Sequence, residues 1–209
     1  MITGGIIWDW SPDGTAILCN KADEQIWLVS VAGGEHKQIT NEPWACGDAD
    51  FSPCGTKIAY VVNELQNWGI WILDLNSLDA QRVYSAYGPD WSPDSSEILC
   101  DSLVIIREDG TRMRKVPYDA ALGYPRRGRW SSDGQKIAFS AWSVDGDGGI
   151  WLIDIDGSDL VLIAQSASRP SWSPDGAMMA FNAISADGKT TAIWVMNSDG
   201  SSKTQVTFP

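Results

Sequence analysis

Five short segments of one kind punctuate this chain: Trp10-Ser11-Pro12-Asp13-Gly14, Phe51-Ser52-Pro53-Cys54-Gly55, Trp91-Ser92-Pro93-Asp94-Ser95, Trp130-Ser131-Ser132-Asp133-Gly134 and Trp172-Ser173-Pro174-Asp175-Gly176. Their serines stand 41, 40, 39 and 42 residues apart. An apolar quartet keeps step with them: Ile26-Trp27-Leu28-Val29, Ile70-Trp71-Ile72-Leu73, Leu103-Val104-Ile105-Ile106, Ile150-Trp151-Leu152-Ile153 and Ile193-Trp194-Val195-Met196. A repeat of about 40 residues with strand-like content is the mark of a propeller blade. The expected fold is all-β: a β-propeller of five four-stranded antiparallel blades. They are read over residues 4–40, 41–85, 86–118, 119–165 and 166–207 of a single domain spanning 1–209.

Each repeat supplies the parts of such a blade. Pro presets φ at the second turn position, Asp suits the third, and Gly accepts a left-handed conformation at the fourth. The quartets are apolar throughout rather than alternating, so both faces of their strand need cover. Neighbouring blades provide it, with Trp10, Trp27, Trp71, Trp91, Trp130, Trp151, Trp172 and Trp194 as wedges between them. Ile2-Thr3, Ile39-Thr40 and Val206-Thr207 share one phase, so the chain is read as five whole blades. The expectation is a closed five-bladed monomer with essentially no helix. The alternative is an arc of a six-bladed propeller that associates to hide its ends.

The net charge of −12 disfavours nucleic acid and anionic membrane surfaces as partners. No run of 18 apolar residues marks a membrane span. Met1-Ile2-Thr3-Gly4-Gly5 lacks the basic and apolar regions of an export signal. Cys19 and Cys100 occupy a slot filled elsewhere by Tyr60, Phe139 and Phe181, so they read as small core hydrophobes. No Cys-x-x-Cys pair exists, and neither a metal, a disulfide framework nor a cofactor is expected. These features point to the cytoplasm.

The pattern Pro-x-Trp-Ser-Pro-Asp-Gly, then Lys-Ile-Ala-Phe, then Ile-Trp-Leu-Ile-Asp-Ile-Asp-Gly-Ser resembles the TolB-type β-propeller repeat, also called WD40-like PD40. The likeness recurs in all five repeats. It implies a propeller, and a periplasmic protein-interaction module or a domain attached to a serine peptidase. The chain has five repeats where TolB-type propellers have six, and no Gly-x-Ser-x-Gly elbow.

Candidate site residues lie on or beside the first strands and the loops. Asp48, Asp50 and Asp90 cluster in the early repeats, and Arg127, Arg129 and Arg169 in the late ones. Folded into a ring, they give a channel mouth with an acidic arc facing a basic one. Such a mouth orients a charged peptide or, equally, closes itself by ion pairing. Trp44 and Trp142 fall outside the repeat slots and suit interface anchors. Asp145-Gly146-Asp147-Gly148 and Asp154-Ile155-Asp156-Gly157-Ser158-Asp159 have calcium-like residue types but lack the twelve-residue spacing with a terminal Glu, so they read as turns. His36 is the single histidine, with no activated serine in view. The expected function is non-catalytic binding of a protein or peptide through the upper face and channel mouth. The alternative is a glycan-active hydrolase working through a pair of carboxylates among Asp48, Asp50 and Asp90.

Overall fold

The repeated turn builds the same hydrogen-bonded knot each time. In the computed structural model, which describes residues 5–66, 68–111, 113–142 and 148–208, the motif serine hydroxyl donates to the turn aspartate at 2.6–2.7 Å (Ser11–Asp13, Ser92–Asp94, Ser131–Asp133 and Ser173–Asp175). That carboxylate also accepts the N–H of Thr15, Ser96, Gln135 or Ala177 at 3.0 Å. The serine oxygen accepts the N–H five residues on, as in Lys136 to Ser131 at 2.9 Å. Gly14, Gly134 and Gly176 sit at φ 70°, 69° and 70°, where a Cβ is strained. The polar atoms of the turn are satisfied locally, so the chain reverses without help from the core. The loop Ser185-Ala186-Asp187-Gly188 repeats this device outside the five motifs, with Gly188 donating to the Ser185 carbonyl at 2.8 Å.

Each turn joins the first two strands of a sheet. The first sheet holds β1 (Ile7–Trp10), β2 (Ala16–Asn20), β3 (Ile26–Ser30) and β4 (His36–Gln38). The second holds β5 (Cys46–Phe51), β6 (Lys57–Val62), β7 (Gly69–Asp74) and β8 (Ala80–Tyr84). The third holds β9 (Asp90–Trp91), β10 (Glu97–Cys100), β11 (Val104–Arg107) and β12 (Met113–Lys115). The fourth holds β13 (Arg126–Trp130), β14 (Lys136–Trp142), β15 (Gly148–Asp154) and β16 (Val161–Gln165). The fifth holds β17 (Ala167–Trp172), β18 (Met178–Ile184), β19 (Thr191–Asn197) and β20 (Thr204–Gln205). Strand order within every sheet follows the sequence. The fold is a β-propeller of five four-stranded antiparallel blades.

Two single 3-10 turns, Asp101–Leu103 and Ala120–Leu122, are the helical elements among the described residues. The first forms the short link between β10 and β11. The chain divides into two compact units, Met1–Ile98 with Ile106–Met113 and Leu99–Ile105 with Arg114–Pro209. Ile2-Thr3 and the acidic run Asp145-Gly146-Asp147 lie outside the described residues.

Within each unit the core forms where one blade meets the next. In the first unit Leu18 and Ile26 pack against Phe51, Ile58, Tyr60 and Leu73 of the following blade. In the second, Ala138, Ile150 and Leu152 pack against Met179, Phe181 and Met196. The pairs Ala138↔Leu152 and Ser140↔Ile150 place these side chains on one face of the fourth sheet, and Ile137↔Ile153 and Phe139↔Trp151 on the other. Burying one such Ile, Leu or Phe is worth about 1.5–3 kcal/mol.

The motif aromatics depend on this contact. Phe51, Trp91 and Trp130 are 6%, 4% and 8% exposed. Trp10, expected to be an inter-blade wedge like them, is 57% exposed instead. Its burial in the other repeats comes from the preceding blade, and its own sheet does not replace that cover. Cys19 and Cys100 are buried, and all four cysteines are free thiols.

Candidate functional site

The first strands share an irregularity that the repeat pattern conceals. In β1, β5, β13 and β17 the ladder slips by one residue, between Ile7/Asp9, Gly47/Asp50, Arg126/Arg129 and Ser168/Ser171. In the last three of these strands one backbone within the slip is left-handed: Asp48 at φ 44°, Arg127 at φ 52° and Arg169 at φ 57°. Gly88, at φ 62°, holds the same place in the third repeat. All four stand three residues before the motif aromatic. A bulge of this kind turns a side chain away from the ladder and is common beside binding sites. Asp48, Arg127 and Arg169 are therefore one structural position in three blades.

Polar side chains nine residues after the motif serines hold these bulges in place. Asp101 accepts the Arg127 N–H at 2.9 Å, and the Ser140 hydroxyl accepts the Arg169 N–H at 2.9 Å. In the first repeat Asn20 accepts the Trp8 indole N–H and donates to the Cys46 carbonyl at 2.5 Å. Gly47 lets the Trp8 ring lie close, since a Cβ there would come within 3.2 Å of it.

These contacts frame a cleft of about 570 Å³ in the first unit. Trp8 and Tyr87 give it aromatic walls, Ile6 and Val61 add apolar surface, and Lys21, Glu24, Asn63 and Asp48 bring polar groups. Tyr87 is stacked on Trp68, with centroids 4.9 Å apart and planes 12° from parallel. Lys21 lies over the Trp27 ring at 3.5 Å, a cation–π contact that settles its charge.

Beside the cleft runs the connection carrying Trp44, which is 40% exposed. Buried Gln25 fixes that connection. Its amide donates to the Glu42 and Trp44 carbonyls at 3.1 and 3.2 Å, and its oxygen accepts the Glu42 N–H at 2.9 Å. Gln25 and Trp8 escaped the sequence reading as site residues. The only available signal for Gln25 was a polar residue directly before an apolar strand.

The other candidates have structural duties. Asp50 accepts the Trp91 N–H at 2.8 Å, and Asp9 accepts the Phe51 N–H at 2.8 Å, each reaching from one blade to the backbone of the next. Asp90 is buried. Arg129 is half-buried, donates to the Gly128 carbonyl at 3.3 Å, and offers its own carbonyl to the Trp172 indole at 3.2 Å. In the second unit Arg127 and Arg169 are exposed, and Trp142 is 53% exposed at the end of β14. Asp156 is tied into its own turn by the N–H and hydroxyl of Ser158 at 2.9 and 2.6 Å. Among the described residues no three His, Cys, Asp or Glu side chains converge as a metal-ligand set. No helix there is long and apolar enough to cross a membrane.

The TolB beta propeller domain profile matches residues 6–207. The chain belongs to the TolB β-propeller family. TolB from Acinetobacter baumannii superposes with a TM-score of 0.81 at 20% identity, over 94% of this chain and 53% of that one. A putative TolB from Agrobacterium tumefaciens gives 0.81 at 22% identity, over 97% and 81%. An oligogalacturonate lyase in complex with manganese gives 0.70 at 19% identity, over 97% and 64%. This TolB-family chain thus spans about half the length of the Acinetobacter protein. At these identities the structural likeness speaks for the fold alone.

Proposed function

We propose that the propeller is a non-catalytic scaffold that binds a protein or peptide, with the cleft at Trp8 and Tyr87 as its principal seat. The observation that carries this reading is the bulge at Asp48. It sets a carboxylate at the edge of an aromatic-walled cleft of about 570 Å³, within the usual range of ligand sites of about 300–1,000 Å³. Glu24 adds a second carboxylate, while the Lys21 charge is engaged by Trp27. The cleft therefore favours a segment with a cationic group next to an apolar one, and Trp44 extends the contact surface beside it. In the second unit Arg127, Arg169 and Trp142 are each exposed, and Arg169 suits an acidic group of a partner.

Of the three carboxylates that the hydrolase alternative draws on, Asp48 alone lines the cleft. Asp50 is committed to a backbone amide, and Asp90 is buried. The test is a peptide array probed with the purified protein, followed by titration of the best basic-aromatic peptide. Asp48→Asn keeps a residue tolerant of left-handed φ and should weaken binding about tenfold, the loss of one charge-assisted contact worth about 1.4 kcal/mol. Trp44→Ala should weaken it similarly. Affinity unchanged in both variants, or hydrolase turnover abolished by Asp48→Asn, would overturn the reading.

A further inference from the structure

The fifth blade turns an uncharged, apolar face to solvent. The pairs Met178↔Asn197, Ala180↔Val195, Asn182↔Ile193 and Ile184↔Thr191 put these eight side chains on one side of β18 and β19. None carries a charge, in a chain that is 20% charged. Met178, Ile184 and Ile193 are 41%, 59% and 45% exposed. The residues matching Ile193 in three other blades, Ile26, Ile70 and Ile150, are each 0% exposed. In the fourth blade the equivalent face is covered by Met179, Phe181 and Met196 of the blade that follows. What fits this face is therefore already defined by the molecule: the opposite face of another blade of the same kind.

The chain exposes one such face. On the first blade Ile7 and Trp10 are 62% and 57% exposed, whereas the aromatics matching Trp10 in the second, third and fourth blades are buried. Pairing of Ile7 with Cys19 and of Trp10 with Ile17 shows which side of the sheet they occupy. It is the side that, in the second blade, meets its predecessor through Phe51, Ile58 and Tyr60. An exposed receiving face and an exposed inserting face on one chain are complementary to each other, and neither is complementary to itself.

We infer that two copies of this chain associate head to tail, the first-blade face of one seated on the fifth-blade face of the other. The contact is heterologous, so each added copy leaves one receiving and one inserting face free. It is independent of the cleft.

Sedimentation velocity across the micromolar range tests this with wild type, Trp10→Asp and Ile193→Asp. Wild type should grow in mass with concentration, and each variant alone should remain monomeric. An equimolar mixture of the two variants should form a dimer and nothing larger, because one intact face of each kind survives. Wild type that stays monomeric overturns the proposal, as does either variant assembling alone, or a mixture that stays monomeric while wild type assembles. Retention of the cooperative thermal melt verifies folding of each variant. If an Asp variant loses it, Ile193→Ser and Trp10→Ser carry the same comparison.

Discussion

Tyr60 carries its hydroxyl into the core of the first unit, and among the described residues the oxygen has no hydrogen-bond partner. Burial pushes its pKa well above the usual phenol value. A buried polar group left unsatisfied costs about 1–3 kcal/mol, so Tyr60→Phe should raise stability by about 1 kcal/mol, read by urea denaturation. Cys54 is a different case. It stands where other repeats have the turn aspartate, and Ser52 and Thr56 place their hydroxyls 3.3 and 3.1 Å from its sulfur. Those groups, which elsewhere hold a carboxylate, lower its pKa to about 6. The thiolate fraction therefore climbs as pH rises through about 6, and Cys54 is largely ionised at neutrality. Burial moves the other three thiols the opposite way, Cys46 to about 11. Iodoacetamide at pH 7 should alkylate one cysteine of the folded protein, with a rate that titrates near pH 6. Thr56→Val should shift that midpoint upward. Intact-mass spectrometry reads both results.

The element where sequence and structure part company is the first strand. The turns, the quartets and the order of strands were legible because each rests on local chemistry: Ser, Asp and Gly at fixed offsets, and unbroken apolar runs. The bulge is different. Cys46-Gly47-Asp48 and Ser168-Arg169 lack the alternation of a strand, yet they belong to β5 and β17. An extra residue breaks the alternation on which a strand is recognised, and neither Asp nor Arg advertises a left-handed backbone. For that reason nothing in the sequence marks Asp48, Arg127 and Arg169 as one bulged position. The contact that Asp50 makes was hidden for another reason. Its partner is an amide 41 residues away, and no pattern within its own repeat reveals it. Backbone strain at the bulge yields a test. A left-handed non-glycine residue costs about 1–2 kcal/mol, so Arg169→Gly should raise the melting temperature while leaving the Ser140 contact to the backbone N–H in place. A lower melting temperature would mean that the Arg169 side chain itself stabilises the blade.

At the scale of the molecule the repeated turns make stability depend on acid. Asp13, Asp94, Asp133 and Asp175 each have a pKa lowered from 3.8, first by the motif serine hydroxyl and then by neighbouring hydroxyl and N–H donors. A carboxylate with a depressed folded-state pKa stabilises fully above its unfolded value, and the contribution disappears as pH falls through the lowered one. Resistance to urea should thus be level above about pH 5 and fall steadily below about pH 4. Replacing all four with Asn should make that acid limb shallower, and Asp74, Asp109, Asp156, Asp187 and Asp199, whose pKa is lowered in the same way, would sustain the remainder. The blades also share a joint, seen where Asp9 meets the Phe51 amide and Asp50 meets the Trp91 amide. Because the acceptor finds a peptide N–H, it is indifferent to whether the residue behind that amide is Phe or Trp. A tandem duplication of residues 46–84 would arrive with its joint already made, carboxylate to amide, and its other positions would be free to diverge afterwards. In the fourth and fifth repeats Arg129 and Ser171 occupy the carboxylate's place, so copies inserted after them would inherit no such joint. The early part of the chain is where this propeller lengthens most readily.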